Sequence, residues 1–133
     1  MKDLTKTAQE IVEKTGGFIT NNNYKVLKVS ENYCELEGIL TDTSINHLNI
    51  AHGGYIFGLA DTCAGIAAMT DFRTAVTIDS NITYLKPAKG KYLKAIAKTL
   101  NVGKKISMFE VYIYNDKEEL IAKANVNYCY IDK

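Results

Sequence analysis

An α+β domain, with an antiparallel sheet wrapped around one long central helix, is what this chain of 133 residues predicts, and three observations predict it. From Gly53 to Thr70, small and apolar residues fall on every side, which suits a helix covered by sheet or by a second chain rather than one lying on a surface. On both sides of that stretch the hydrophobic period switches to two, the mark of half-buried strands. The order is a short helix, two strands, the long helix and four more strands, with no repeat, low-complexity tract or linker, so one sheet can close over the helix.

The elements follow in turn. Leu4, Ala8, Ile11 and Val12 recur at helical spacing and Gly16-Gly17 closes the segment, which predicts an amphipathic helix lying as a flap on the main body. Tyr24 and Val26 through to Val29 read as a strand. In a second, Cys34, Leu36 and Leu40 alternate with Glu35, Glu37 and Ile39, and Ser30-Glu31-Asn32 makes the hairpin turn. After the central helix, Val76, Ile78, Ile82 and Tyr84 alternate with Thr77, Asp79, Asn81 and Thr83, and Pro87 ends that strand. Leu93, Ala95 and Ala97 mark the next strand, Phe109, Val111 and Ile113 the one after, and Leu120, Ala122, Ala124 and Val126 the last. Turns at Asn101-Val102-Gly103 and Asn115-Asp116-Lys117 separate them.

Length and composition narrow the function. A chain of 133 residues suits one domain, residues 1–133, with one core. With 16 basic and 15 acidic residues the formal net charge is +1, so neither nucleic acid nor an acidic membrane is expected as the main partner. Cys34, Cys63 and Cys129 lie far apart in apolar or alternating runs, without metal or redox spacing, and read as buried thiols in a reducing compartment. The start MKDLTKTAQEIVEK carries acidic residues and no continuous apolar core, so it reads as neither signal peptide nor membrane anchor, and a cytoplasmic location is expected.

Chemistry points first to Asp61, the one charge between Tyr55 and Thr70, surrounded in sequence by Phe57, Leu59, Ala60, Cys63, Ile66 and Ala67. A carboxylate losing its hydration there costs several kcal/mol unless a partner compensates. A structural ion pair would also account for it. Gly53 and Gly54 open the helix, where backbone amides lack intrahelical partners and the helix dipole adds positive charge, so the end can hold an oxyanion. On the glycines alone a tight turn is the better reading; Asp61 on the same helix reverses that preference. His52 reads either as a satisfied turn residue or as the ring that fixes the loop before the helix. His47, His52 and Asp61 match no familiar zinc spacing, so no metal is expected. Cys63 has no histidine near it in sequence and reads as core packing.

The run from Asn46 to Gly54 (NHLNIAHGG), followed by Leu59-Ala60-Asp61 and by the strand from Thr77 to Pro87 (TIDSNITYLKP), resembles the hotdog-fold acyl-CoA thioesterases of the phenylacetate-pathway type. The resemblance covers the chain from about Asn46 to the last strand. It implies a hotdog fold and hydrolysis of a small or medium acyl-CoA, aromatic acyl groups included, to free acid and CoA with no cofactor. Asp61 matches the family's catalytic acid, Gly53 its oxyanion-hole amide and Asn46 its polar residue near the thioester, while Thr77 falls where relatives often carry a small hydroxyl residue. In that scheme Asp61 acts as general base on water or attacks the carbonyl itself, and His52 orients the glycine loop. Asn49 stands where relatives often carry glycine, a departure that would reshape the loop and the acyl pocket. Gly54, Lys104 and Lys105 are candidate substrate contacts, with Lys86 and Lys89 as further phosphate candidates; a solvated turn lysine is the competing reading for each.

Spacing adds a constraint. Eight residues at about 1.5 Å each put Gly53 and Asp61 roughly 12 Å apart along one helix, too far for one carbonyl to meet both. A productive site then needs Gly53 from one chain and Asp61 from another, which predicts a homodimer with shared sites, as the resemblance also implies; a homotetramer built from such dimers is left open. Two other readings compete. One is a non-catalytic acyl-CoA sensor or carrier on the same fold, which Asp61 disfavours. The other is a hydratase or dehydratase using His52 and Asp61, which the HGG segment suits less well.

Overall fold

A computed structural model describes residues 2–131; Met1, Asp132 and Lys133 lie outside it. The elements are α1 (Thr5–Thr15), α2 (Gly17–Asn21), β1 (Tyr24–Ser30), β2 (Tyr33–Ile39), α3 (Gly53–Ala68), β3 (Thr74–Tyr84), β4 (Tyr92–Val102), β5 (Ile106–Asn115) and β6 (Leu120–Ile131). The strands form one six-stranded antiparallel sheet in the order β1-β2-β4-β5-β6-β3, so β3 crosses to the far edge. This is the α+β architecture the sequence predicts.

The sheet's inner face and α3 make the core. Leu36, Leu93, Ala95, Phe109, Val111, Ile113, Ala124 and Val126 meet Leu59, Ala60, Cys63, Ala64 and Ala67 there, all without exposed surface. The alanines let helix and strands approach closely, and the bulk comes from the sheet. Coverage of α3 is one-sided, however. Phe57, Gly58, Asp61, Thr62, Gly65 and Ile66 remain only partly buried, so the helix is not enclosed all round and its open strip carries Asp61. Phe18 of α2 and Tyr24 reach one part of the strip because residue 58 is glycine: a β-carbon there would lie 2.8 Å from the Tyr24 hydroxyl.

Three local differences from the periodic reading have physical causes. Ile78 is an extra residue in β3: the register with β6 shifts between Thr77 and Asp79, a β-bulge that reverses which residues face inward. Thr77 therefore faces α3, while Val76 and Ile78 are 43% and 51% exposed on the outer side instead of sharing a face with Ile82 and Tyr84. β4 continues to Val102 with its own register shift, so the turn to β5 begins at Gly103 rather than at Asn101. A short second helix, α2, follows α1 after Gly16, where the sequence reading ends the helical segment. As expected, α1 lies as a flap: it has no fully buried residue, its Gln9 amide donates to the Val26 carbonyl, and an apolar cleft of about 100 Å³ separates it from Ile66 and Met69.

Candidate active site

Apart from Lys104 and Lys105, the sequence-predicted residues fall into two clusters, each built on α3. The first lies at its N-terminus. Asn46 opens the preceding loop, its Oδ1 accepting from the Leu48 main-chain amide at 2.9 Å and its own main-chain amide donating to the Ile50 carbonyl at 2.9 Å. Asn49 completes that turn at φ 60°, the left-handed region that glycine favours and asparagine tolerates. Main-chain bonds from Ala51 to Ala88 and from His52 to Ser44 fix the loop to its surroundings.

His52 is the N-cap of α3, its Nδ1 accepting the Gly54 amide proton at 2.8 Å. That tautomer carries its proton on Nε2, and the ring acts as the loop-fixing group. The bond occupies the Gly54 amide, so of the two glycines it is Gly53 whose amide meets no acceptor among the described residues. The Gly53 carbonyl accepts from the Tyr84 hydroxyl at 2.7 Å. Neither glycine has a positive φ, which weakens the tight-turn reading: glycine here leaves space rather than permitting a special backbone. Asn46, Gly53, Ile56, Tyr84 and Lys86 share a pocket of about 290 Å³.

The second cluster surrounds Asp61. Thr77 donates to its Oδ1 at 2.8 Å, and the Tyr128 hydroxyl lies 3.0 Å from the same oxygen and 2.6 Å from the Asp61 main-chain carbonyl. The carboxylate is half-buried and hydrogen-bonded, where the sequence alone suggests one enclosed by apolar groups without a partner. Its Oδ2 has no partner among the described residues. Tyr128 is absent from the sequence reading, although it continues the inward face of Ala122, Ala124 and Val126 by one more alternation. Its place opposite Thr77 in the β3–β6 ladder is a matter of register, which one strand's pattern does not carry.

Cys63 is fully buried and its thiol donates to the Cys34 and Ala95 carbonyls at 3.3 and 3.6 Å. Burial pushes that thiol well above its usual range, as befits core packing. Lys104 and Lys105 are exposed in the β4–β5 turn and line a separate shallow pocket with Phe72, Arg73, Thr74, Tyr130 and Ile131. Arg73 stacks 3.5 Å from the Tyr130 ring centre and donates to the Gly103 and Lys104 carbonyls, which holds the turn in place. Thr74, at the start of β3, lines this pocket, whereas Tyr84, at its end, touches Gly53; within one chain the lysines and Gly53 belong to opposite ends of that strand. Among the described residues no group of three or more His, Cys, Asp or Glu forms a metal site, and no helix is long and apolar enough to cross a membrane.

Residues 48–122 match the Thioesterase superfamily, and the chain belongs to that family. A protein of Archaeoglobus fulgidus is 30% identical over 128 residues, covering 90% of this chain and 83% of its own. The acyl-coenzyme A thioesterase PaaI of Escherichia coli is 26% identical over 98 residues, covering 73% of this chain and 70% of its own. The solved structure of E. coli PaaI superposes with a TM-score of 0.90 at 20% identity, covering 96% of this chain and 94% of the other, so the fold is that of the hotdog thioesterases. The protein smu.793 of Streptococcus mutans, solved with acetyl-CoA bound, is 28% identical, covers 84% of this chain and 90% of its own, and has a TM-score of 0.79.

Proposed function

We propose that the protein hydrolyses acyl-CoA thioesters to free acid and CoA, as a homodimer whose sites each combine Asn46 and Gly53 of one chain with Asp61 and Thr77 of the other. One observation carries the reading: an anchored carboxylate, with one oxygen free among the described residues, sits in the open strip of α3, two turns beyond a helix N-terminus whose first glycine amide meets no acceptor among them. A base and an oxyanion donor are the two groups thioester hydrolysis needs. Acyl-CoA as the substrate is supported by the names of PaaI and by the acetyl-CoA bound to smu.793.

The free edge of β3 supports the dimer. It is an edge strand of 11 residues, with main-chain groups open to a further strand and with Val76, Ile78, Tyr84 and Leu85 exposed beside it. Antiparallel pairing of two copies, centred on Asn81 and with Ile78 again left out of the ladder as the bulged residue, sets Thr77 opposite the partner's Tyr84. Thr77 touches Asp61 and Tyr84 touches Gly53, so this pairing brings the two half-sites together about a twofold axis. The same pairing moves Lys104 and Lys105 toward the partner's Asn46 and Gly53, where they would meet the phosphates of CoA. The 133 residues then act as one domain, and three free thiols suit the cytoplasm.

In the reaction, the thioester carbonyl oxygen receives the Gly53 amide as negative charge develops on it. Asp61 takes a proton from water as the water oxygen bonds to the carbonyl carbon; collapse of the tetrahedral intermediate breaks the carbon–sulfur bond and releases CoA as thiolate, which the proton on Asp61 then neutralises. Direct attack by Asp61 would give a mixed anhydride that water opens to the same products. The test is a panel of short, medium and aromatic acyl-CoA substrates, with released thiol trapped by a colour reagent and acid measured beside it. Equal release of thiol and acid is the expected result. Binding without release would replace this reading with that of an acyl-CoA carrier.

A further inference from the structure

We propose that Tyr128 is a positioning residue for Asp61 and that Asp61 Oδ2, not Oδ1, is the reacting oxygen; this rests on the hydrolytic reading above. Four tyrosine hydroxyls bond to carbonyls of α3: Tyr24 to Tyr55, Tyr84 to Gly53, Tyr128 to Asp61 and Tyr130 to Ala68, at 2.7, 2.7, 2.6 and 2.8 Å. In three of them the hydroxyl bonds to that main-chain carbonyl alone. Tyr128 alone also reaches an ionisable side chain, its oxygen 3.0 Å from Asp61 Oδ1.

A phenol has one proton, so Tyr128 shares it between two acceptors of one residue. That sharing ties the carboxylate's rotamer to its own main chain rather than merely neutralising it. Thr77 donates to the same oxygen from the opposite strand, leaving Oδ2 as the oxygen free to take a proton or to attack.

The tyrosine is itself rigid. It is 2% exposed and stands edge-on to Phe109 with ring centres 6.1 Å apart. Burial first, and the charge of Asp61 second, hold its hydroxyl far above the usual phenol range, so it remains a donor throughout the working pH range. Gly65 makes the approach possible, since a β-carbon there would lie 3.3 Å from the hydroxyl, tighter than an ordinary contact.

Tyr24→Phe is the control, because it removes a similar hydroxyl-to-helix bond without touching Asp61. With one short acyl-CoA as substrate, Tyr128→Phe should lower kcat by about tenfold to a hundredfold, the scale of a misplaced catalytic group, and leave KM within about twofold. Tyr24→Phe should change kcat by less than about twofold, the size of an ordinary peripheral change. Hydrolysis by the unaltered protein is measured first, so a failure of the thioesterase reading is separate from a failure of this one. Equal losses in the two phenylalanine variants, or an unchanged kcat in Tyr128→Phe, would overturn the proposal. Gly65→Ala is the second variant, crowding the hydroxyl without removing it: a lower kcat at unchanged melting temperature supports the assignment, and a full kcat opposes it.

Discussion

Replacing Asp61 with alanine is expected to lower kcat on the order of a thousandfold, within the range that a general base supplies, while the protein stays folded. The expectation of an intact fold comes from the same contacts that suggest catalysis. Asp61 is half-buried in the open strip of α3, so its removal leaves no large core cavity. Thr77 is exposed and can turn to water, and Tyr128 keeps its 2.6 Å bond to the main-chain carbonyl, which alanine also has. No buried donor is orphaned. Asp61→Asn separates charge from shape, since the amide retains the size and an acceptor oxygen but cannot take up a proton from water. Both variants are checked by free-thiol release and by melting temperature, and a kcat near that of the unaltered protein in either would remove Asp61 from the chemistry.

Gly53→Ala is expected to show the opposite pairing of effects to a core mutation, with activity lost and stability kept. The glycine lies in the first turn of α3 and has no positive φ, so alanine fits the backbone. Such replacements commonly stabilise by about 0.4–1 kcal/mol through the unfolded chain. The added methyl, however, would sit 3.2 Å from the Tyr84 hydroxyl and 3.4 Å from its ring carbon. Tyr84 is 47% exposed and can give way at little cost, but in moving it releases the Gly53 carbonyl and crowds the space where a thioester must approach the amide. A fall in kcat of about a hundredfold, with an equal or higher melting temperature, is the expected result. A parallel loss of both would make the glycine structural.

Much of this was legible in the residues because the relevant patterns are local. The alternating strands, the small-residue helix and the helix start at HGG are each written within a short window. What sequence reading misses depends on register. The extra residue Ile78 turns Thr77 inward, and simple alternation from Val76 to Tyr84 assigns the faces wrongly on one side of the bulge. Tyr128 and Tyr84 look like ordinary strand aromatics until pairing sets one beside Asp61 and the other beside Gly53. The partners of Asp61 do not show in its own stretch of sequence, because both donors arrive from strands that lie later in the chain. Asn49 is a further case: its left-handed backbone, at φ 60°, is a property of the turn that no alternation in the sequence signals.

The central claim, a site divided between two chains, is tested most directly by mixing Asp61→Ala protein with Gly53→Ala protein under conditions that exchange subunits. Each variant alone carries the same lesion in both of its sites. In a mixed dimer one site carries both lesions and the other carries neither. Random exchange makes about half of the dimers mixed, so thiol release should recover to roughly a quarter of the unaltered protein's rate. Absence of recovery, with mixed dimers confirmed by mass, would place Gly53 and Asp61 in separate roles within one chain and contradict the account.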